Sequence, residues 1–176
     1  MSHSSDGVTI DHVAIGVLRR DGALVMVQQQ AGPEAAPQGA PYWVLPGGLV
    51  EAGELVGEGL AREVREEAGV QVQAITHLAC CCQIDRPARN NQVIALIFEV
   101  GTWQGTLTAQ DPDAEVLAVE LAPLDLAIQR LATNGGWPGI REPLLAYLRG
   151  TALPGSAWFY CEEDGVQRLI ASISTG

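Results

Sequence analysis

The stretch from Gly48 to Val70, GLVEAGELVGEGLAREVREEAGV, constrains this chain more than any other. A glycine-rich turn, Pro46-Gly47-Gly48, leads into it. The spacing predicts a helix over Glu54 to Ala68. Leu55, Leu60 and Val64 supply an apolar stripe, and Gly69 stands where a left-handed residue ends a helix. Gly57 and Gly59 weaken the first turn. Glu63, Glu66 and Glu67 sit at i, i+3 and i+4 and so share one face. Three carboxylates there repel one another, and a hard divalent cation removes that repulsion. Mg²⁺ takes few protein ligands and completes its shell with phosphate oxygens and waters. The alternative is a solvated acidic face paired with Arg62 and Arg65. Glycine favours the metal reading, since it permits a tight loop whose carbonyls turn toward a cation. Glu54 either shares a helical side with Arg62 or, from the loop, ties loop to helix.

Around this stretch the pattern is of strands first and two late helices. Val8 to Leu18 and Ala23 to Gln29 read as a hairpin about Arg20-Asp21-Gly22. Ala31 to Pro41 is rich in Gly, Pro and Ala and reads as a long binding loop. Tyr42 to Leu45, Val70 to Gln83, Gln92 to Val100, Trp103 to Thr108 and Val116 to Leu121 read as strands. Ile84 to Asn91 reads as a turn and Asp111-Pro112-Asp113 as a break. Helices are expected at Leu124 to Ala132 and at Pro138 to Arg149, the second interrupted by Pro143. Ala157 to Cys161 and Val166 to Ile170 form a hairpin about Glu163-Asp164-Gly165. The expected organisation is a disordered tail at 1–7, one domain at 8–150 and an extension at 151–176, packed on that domain or on a dimer partner. A mixed sheet with helices on its faces follows, an α/β (α+β) arrangement.

Composition removes several functions. With 176 residues and 47% hydrophobic content the chain suits one domain with a real core. Asp and Glu number 21 against 10 basic residues, for a net charge of -11. Long nucleic acids and anionic membranes are poor partners for such a surface. Every basic residue is Arg, so a Schiff-base or P-loop lysine is excluded. No apolar run is longer than a strand. Cys80, Cys81, Cys82 and Cys161 match neither a disulfide framework nor a zinc spacing, and they read as small buried hydrophobes. Free thiols and a polar start, Met1 to Gly7, point to the cytoplasm. His12 and His77 fall in strands as structural residues, and His3 in the tail.

The stretch resembles the Nudix box, G-x5-E-x7-R-E-U-x-E-E-x-G-U, where U is aliphatic. Gly48, Glu54, Arg62-Glu63-Val64, Glu66-Glu67, Gly69 and Val70 fill it without a departure. The lead-in Trp43 to Gly48 is also similar to the family's. The resemblance implies an α/β/α sandwich with a mixed central sheet. It implies a hydrolase that cleaves the diphosphate of a nucleoside diphosphate joined to another moiety, by water attack on phosphorus. One to three divalent cations, Mg²⁺ or Mn²⁺, are implied as cofactors. Glu63, Glu66 and Glu67, with the carbonyl of Gly47 or Gly48, are the implied ligands. Glu66 is alternatively the group that orients or deprotonates the water. Gly48, Glu54 and Arg62 are implied to be structural. A binding or regulatory module on the same fold is the alternative, and it usually goes with a degraded box. An isomerase of prenyl diphosphates would need a catalytic cysteine motif that Cys80 to Cys82 do not resemble.

The general base is either within the box or on a downstream loop. The downstream candidates are Glu115, Asp111 and Asp113, with Glu99 a further option at the end of an apolar strand. Arg86 and Arg89 flank Pro87 and are candidates for phosphate contact, as planar forks. Trp43, Tyr42 and Trp103 are candidates for stacking on a base, or are core aromatics. The open substrates are ADP-ribose-like compounds, nucleotide sugars, dinucleoside polyphosphates and nucleoside triphosphates. A homodimer is an expected partner state.

Overall fold

The computed structural model describes residues 7–30, 40–110, 115–134 and 136–174. Residues 1–6 of the expected tail with His3, most of the loop before Tyr42, and the Asp111-Pro112-Asp113 break lie outside them.

The chain begins with β1 (Thr9–Arg20) and β2 (Ala23–Gln29), joined by Asp21 and Gly22, both at positive φ. Short β3 (Tyr42–Val44) and β4 (Gly47–Leu49) precede α1 (Val56–Ala68). Then come β5 (Gln71–Arg86), a short turn of helix at Pro87–Arg89, β6 (Asn91–Gln104) and β7 (Val116–Pro123). Two helices, α2 (Leu124–Asn134) and α3 (Pro138–Leu148), lead to the hairpin of β8 (Ser156–Glu163) and β9 (Val166–Ile173).

Among the described residues nine strands form one mixed sheet, ordered β3-β2-β1-β6-β5-β8-β9, with β4 on β1 and β7 on β2. β1 runs parallel to β6, and β5 parallel to β8. The second edge of β1 is shared. Val13, Ala14 and Ile15 pair with β4, while Arg19 and Arg20 pair with β2. This fork sets the glycine-rich turn against the middle of β1.

Both faces of the sheet are covered, which is why β1 carries a nearly unbroken apolar run. Ala14, Leu18, Val25 and Val27 pack against Leu60, Val64 and Ala68 of α1. Ile15, Val17, Leu24 and Met26 pack on the opposite side with Leu131 of α2 and Leu144, Leu145 and Leu148 of α3. The layers are therefore α/β/α.

Several elements differ from the sequence expectation. α1 starts at Val56, so Glu54 lies in the loop, where its N–H bonds the Glu51 carbonyl at 3.1 Å. The Glu58 carboxylate caps the helix start by accepting from the Leu55 N–H at 2.9 Å, which offsets the weak glycines. No separate strand covers Trp103 to Thr108. Trp103 and Gln104 end β6, and Gly105 at φ 121° turns the chain so that Thr108 bonds the Ala68 carbonyl at the end of α1. The turn expected at Ile84 to Asn91 is narrower, because β5 continues to Arg86. α3 runs through Pro143, which is buried together with Leu144 and Leu145. β4 is an element that sequence reading left inside the turn.

Candidate active site

A cleft of about 950 Å³ opens between the acidic side of α1, the start of β1 and α3. Its near wall carries Glu51, Arg62, Glu63, Glu66 and Glu67, with Gly47 and Gly48 beside them. Its far wall carries Trp137, Ile140, Arg141 and Leu144, over a floor that includes Val13, Ile15 and Val93. Asp11, Gln29, Tyr42 and Glu115 also line the cleft, and Arg86 joins the far wall against Trp137.

Arg62 organises the near wall. Its Nε and Nη2 donate to the two oxygens of Glu54 at 2.9 and 3.1 Å, and Nη2 also reaches the Leu49 carbonyl at 2.8 Å. Its Nη1 donates to Glu63 at 2.9 Å and Glu66 at 3.2 Å. These bonds hold the guanidinium well above its ordinary pKa, the Glu54 bond contributing most. The Glu54 carboxyl falls below its ordinary value through the Arg62 bonds and the Glu51 N–H. Glu63 behaves oppositely. Burial pushes its carboxyl up, Arg62 opposes this, and Glu66 and Glu54 add repulsion.

Glu67 is only 7% exposed. Its Oε2 accepts from the Gly47 N–H at 2.8 Å, and its Oε1 accepts from Gln29 Nε2 at 2.6 Å. The Tyr42 hydroxyl donates to Gln29 Oε1 at 3.0 Å. Burial raises the Tyr42 pKa first, with Glu115 and Glu67 adding to it, so the phenol stays a donor. Gly47 itself, at φ 150°, leaves no room for a Cβ, which would lie 2.3 Å from the Ala14 carbonyl. At Gly48 a Cβ would lie 2.6 Å from the Glu63 carboxyl carbon.

The residues fit a hard divalent cation. Three carboxylates line one wall, and burial leaves Glu63 incompletely compensated by the resident guanidinium. Among the described residues no group of three carboxylate, histidine or cysteine side chains is placed to hold a metal ion as it stands, with Arg62 bonded to both Glu63 and Glu66. An open donor set of this kind suits Mg²⁺, which keeps waters and takes phosphate oxygens.

The structure brings Glu63, Glu66, Glu67, Gly47, Gly48, Arg62, Arg86 and Glu115 to one cleft. Glu54 stands behind it on Arg62. Glu115 arrives through an irregularity. The register of β2 against β7 slips between Gln28 and Gln29, from Ala118 to Val116, and Gln30 N–H then bonds the Glu115 carbonyl at 2.8 Å. Such slips re-aim side chains at the rims of sheets. Asp111 and Asp113 lie outside the described residues.

Other candidates face elsewhere. Trp43 packs against the α2 and α3 core and carries the Arg130 guanidinium 4.1 Å from its ring centre. Arg89 is exposed, 3.7 Å from Glu162, and is not among the residues that line the cleft. Trp103 bonds the Arg19 carbonyl and stacks with Arg20. Glu99 is tied to Arg19 at 2.7 Å and to Tyr147 at 2.9 Å. His77 meets the Tyr147 hydroxyl at 3.1 Å. Of the cysteines, Cys80 and Cys82 are buried.

Gln29, Trp137 and Arg141 escaped sequence reading. Trp137 lies against Arg86, whose guanidinium is 4.7 Å from its ring centre, and Arg86 also reaches Asn91 at 3.4 Å and Glu162 at 3.6 Å. The sequence held one signal, the Gly-Gly-Trp-Pro run opening α3, where an aromatic side chain precedes a rigid helix start.

The chain matches the NUDIX domain over residues 10–144. It belongs to the NUDIX family. It is similar to the ADP-ribose pyrophosphatase of Methanocaldococcus jannaschii, 30% identical over 100 residues, or 57% of this chain and 56% of that one. The shared part is thus little more than half of that relative's length. It is also similar to the CTP pyrophosphohydrolase of Escherichia coli, 27% identical over 128 residues, 66% of this chain and 86% of that one. Among solved structures, a MutT NUDIX hydrolase from Burkholderia pseudomallei superposes with a TM-score of 0.56 at 25% identity, covering 66% of this chain and 85% of that one. A MutT protein from Bacillus halodurans shares the fold with a TM-score of 0.67 at 18% identity, covering 93% and 96%.

Proposed function

We propose that this NUDIX protein is a metal-dependent hydrolase that cleaves the diphosphate linkage of a nucleoside diphosphate attached to another moiety. One observation carries the reading. A single cleft presents a carboxylate wall from α1 on one side and, on the other, an apolar and aromatic wall with Arg86 and Arg141. A diphosphate spans the first and a nucleoside fits the second.

Glu63, Glu66 and Glu67, with the Gly47 carbonyl, would hold one to three Mg²⁺ or Mn²⁺ ions. When bound, such cations offset charge on phosphoryl oxygens and lower the pKa of water. The remaining work falls to side chains. Arg62 fixes Glu63 and Glu66 relative to Glu54. Glu115 or Glu66 takes the proton of the attacking water. Arg86 and Arg141 face the anionic and ribose portions, and Trp137 offers a flat surface to a base. ADP-ribose-like compounds, nucleotide sugars and nucleoside triphosphates all present this combination.

No helix among the described residues is long and apolar enough to cross a membrane. Four free cysteines fit a reducing compartment, so the cytoplasm is the proposed location. A homodimer is proposed through β9, where Val166, Leu169, Ile170 and Ile173 are exposed.

The test is turnover with Mg²⁺ or Mn²⁺ against a panel of nucleoside diphosphate derivatives in heavy-oxygen water, products identified by mass. Two phosphate-bearing products, one carrying the label, are expected. Metal binding without product from any compound would instead favour the binding module.

A further inference from the structure

Glu67 is reached from β2 and β3 by a chain of hydrogen bonds that the box does not contain. Gln29 ends β2 and Tyr42 begins β3, and the two are direct partners across the antiparallel β2–β3 ladder. Such partners have side chains close enough to touch. The hydroxyl of Tyr42 donates to Gln29 Oε1 at 3.0 Å, and Gln29 Nε2 donates to Glu67 Oε1 at 2.6 Å.

The bonds of this chain run in one direction, from Tyr42 through Gln29 to Glu67. The amide nitrogen of Gln29 faces Glu67 and donates to it. Its oxygen then faces Tyr42, and the phenol must donate. The Gly47 N–H holds the other carboxylate oxygen at 2.8 Å. Glu67 is therefore fixed at both oxygens, one by the glycine turn and one by β2 and β3. Without the amide, Oε1 loses its bond from β2 and the orientation of the carboxylate is less constrained.

We propose that Gln29 and Tyr42 are positioning residues that hold Glu67 in one orientation and so set the affinity of the cation site on α1. This rests on the reading of Glu67 as a metal ligand. Ligand carboxylates are oriented by outer partners, whose loss typically weakens metal binding about 10- to 100-fold. Gln29 acts directly and Tyr42 acts through it, so their effects should not add.

The experiment titrates the full chain, free of substrate, with Mn²⁺ and follows the free ion by electron paramagnetic resonance. The variants are Gln29→Met, which keeps the length of the side chain, Tyr42→Phe, the double variant and Glu67→Gln. Thermal midpoints are measured alongside. Gln29→Met should weaken Mn²⁺ binding about 10-fold. Tyr42→Phe should weaken it by less, and the double variant should match Gln29→Met. Gln29→Met and Tyr42→Phe binding Mn²⁺ like the parent, while Glu67→Gln does not, would overturn the positioning role. So would a raised KM in Gln29→Met at saturating metal with Mn²⁺ affinity unchanged, which would make Gln29 a substrate contact. Unchanged Mn²⁺ affinity in Glu67→Gln would remove the ligand reading of Glu67 itself.

Discussion

Arg62 grips both oxygens of Glu54 across the junction of loop and helix, at 2.9 and 3.1 Å. A planar fork makes this contact and an ammonium does not. Arg62→Lys should therefore leave the charge but release Glu63 and Glu66. We expect hydrolysis to fall about 100-fold, the scale of a small misplacement of reacting groups. A rate within a few-fold of the parent would show that charge alone suffices. The same pair has a pH signature. The folded-state pKa of Glu54 is lowered, so its stabilisation is present above the ordinary carboxylate range and is lost as pH falls through the lowered value. In Glu54→Gln that part of the acid destabilisation should vanish from denaturation curves.

The two glycines of the turn should separate stability from activity. At Gly47 an added Cβ would meet rigid backbone, 2.3 Å from the Ala14 carbonyl, at a φ of 150°. Gly47→Ala should cost about 1–3 kcal/mol by chemical denaturation. At Gly48 the added carbon meets only the end of the Glu63 side chain. Gly48→Ala should keep the parent's stability within about 0.5 kcal/mol. It should nonetheless lower turnover about 10-fold or more, because Glu63 must move. Equal stability losses in both would contradict this geometry.

Glu67 and Glu115 should fail differently. Glu67→Gln preserves shape in a buried position. It should stay folded, with turnover cut at least about 100-fold and Mn²⁺ binding weakened. Near-normal rates at saturating Mg²⁺ would remove Glu67 from the site. Glu115→Gln should slow turnover about 100-fold or more with Mn²⁺ affinity unchanged if it is the base. An unchanged rate would shift the proton transfer to Glu66.

The cysteine run makes a prediction independent of the site. Burial pushes the Cys80 thiol up to about 12, and Cys82 is raised further by the same cause. Alkylation at mildly alkaline pH should label the half-exposed Cys81 and Cys161 before Cys80 and Cys82, as read by peptide mass. A folded pKa raised for an acid favours the protonated form. The stabilisation is thus complete below the ordinary thiol pKa and is lost as pH rises toward about 12. Cys80→Ala should flatten that alkaline decline.

The acidic wall was legible because it is local. Glu63, Glu66 and Glu67 share a face through helical geometry alone, whatever surrounds them. The aromatics were not legible in this way. Tyr42, Trp43 and Trp103 are alike in composition, yet only Tyr42 lines the cleft. Strand alternation and pairing register sent Trp43 into the α2 and α3 core and Trp103 under Arg20.

Taken by itself, the sequence determined the family, the carboxylate triad on one helical face and the glycine turn before it. All three depend on spacing within a short segment, where covalent geometry limits the outcomes. Tertiary structure decided what meets Glu67. Gln29 lies 38 residues away in the chain and reaches it because α1 packs on the face of β2, while the β2–β3 register sets Tyr42 beside Gln29. It also decided that α3 supplies the far wall through Trp137 and Arg141. Contacts between distant segments follow from which apolar faces bury against which, and no local spacing encodes that choice.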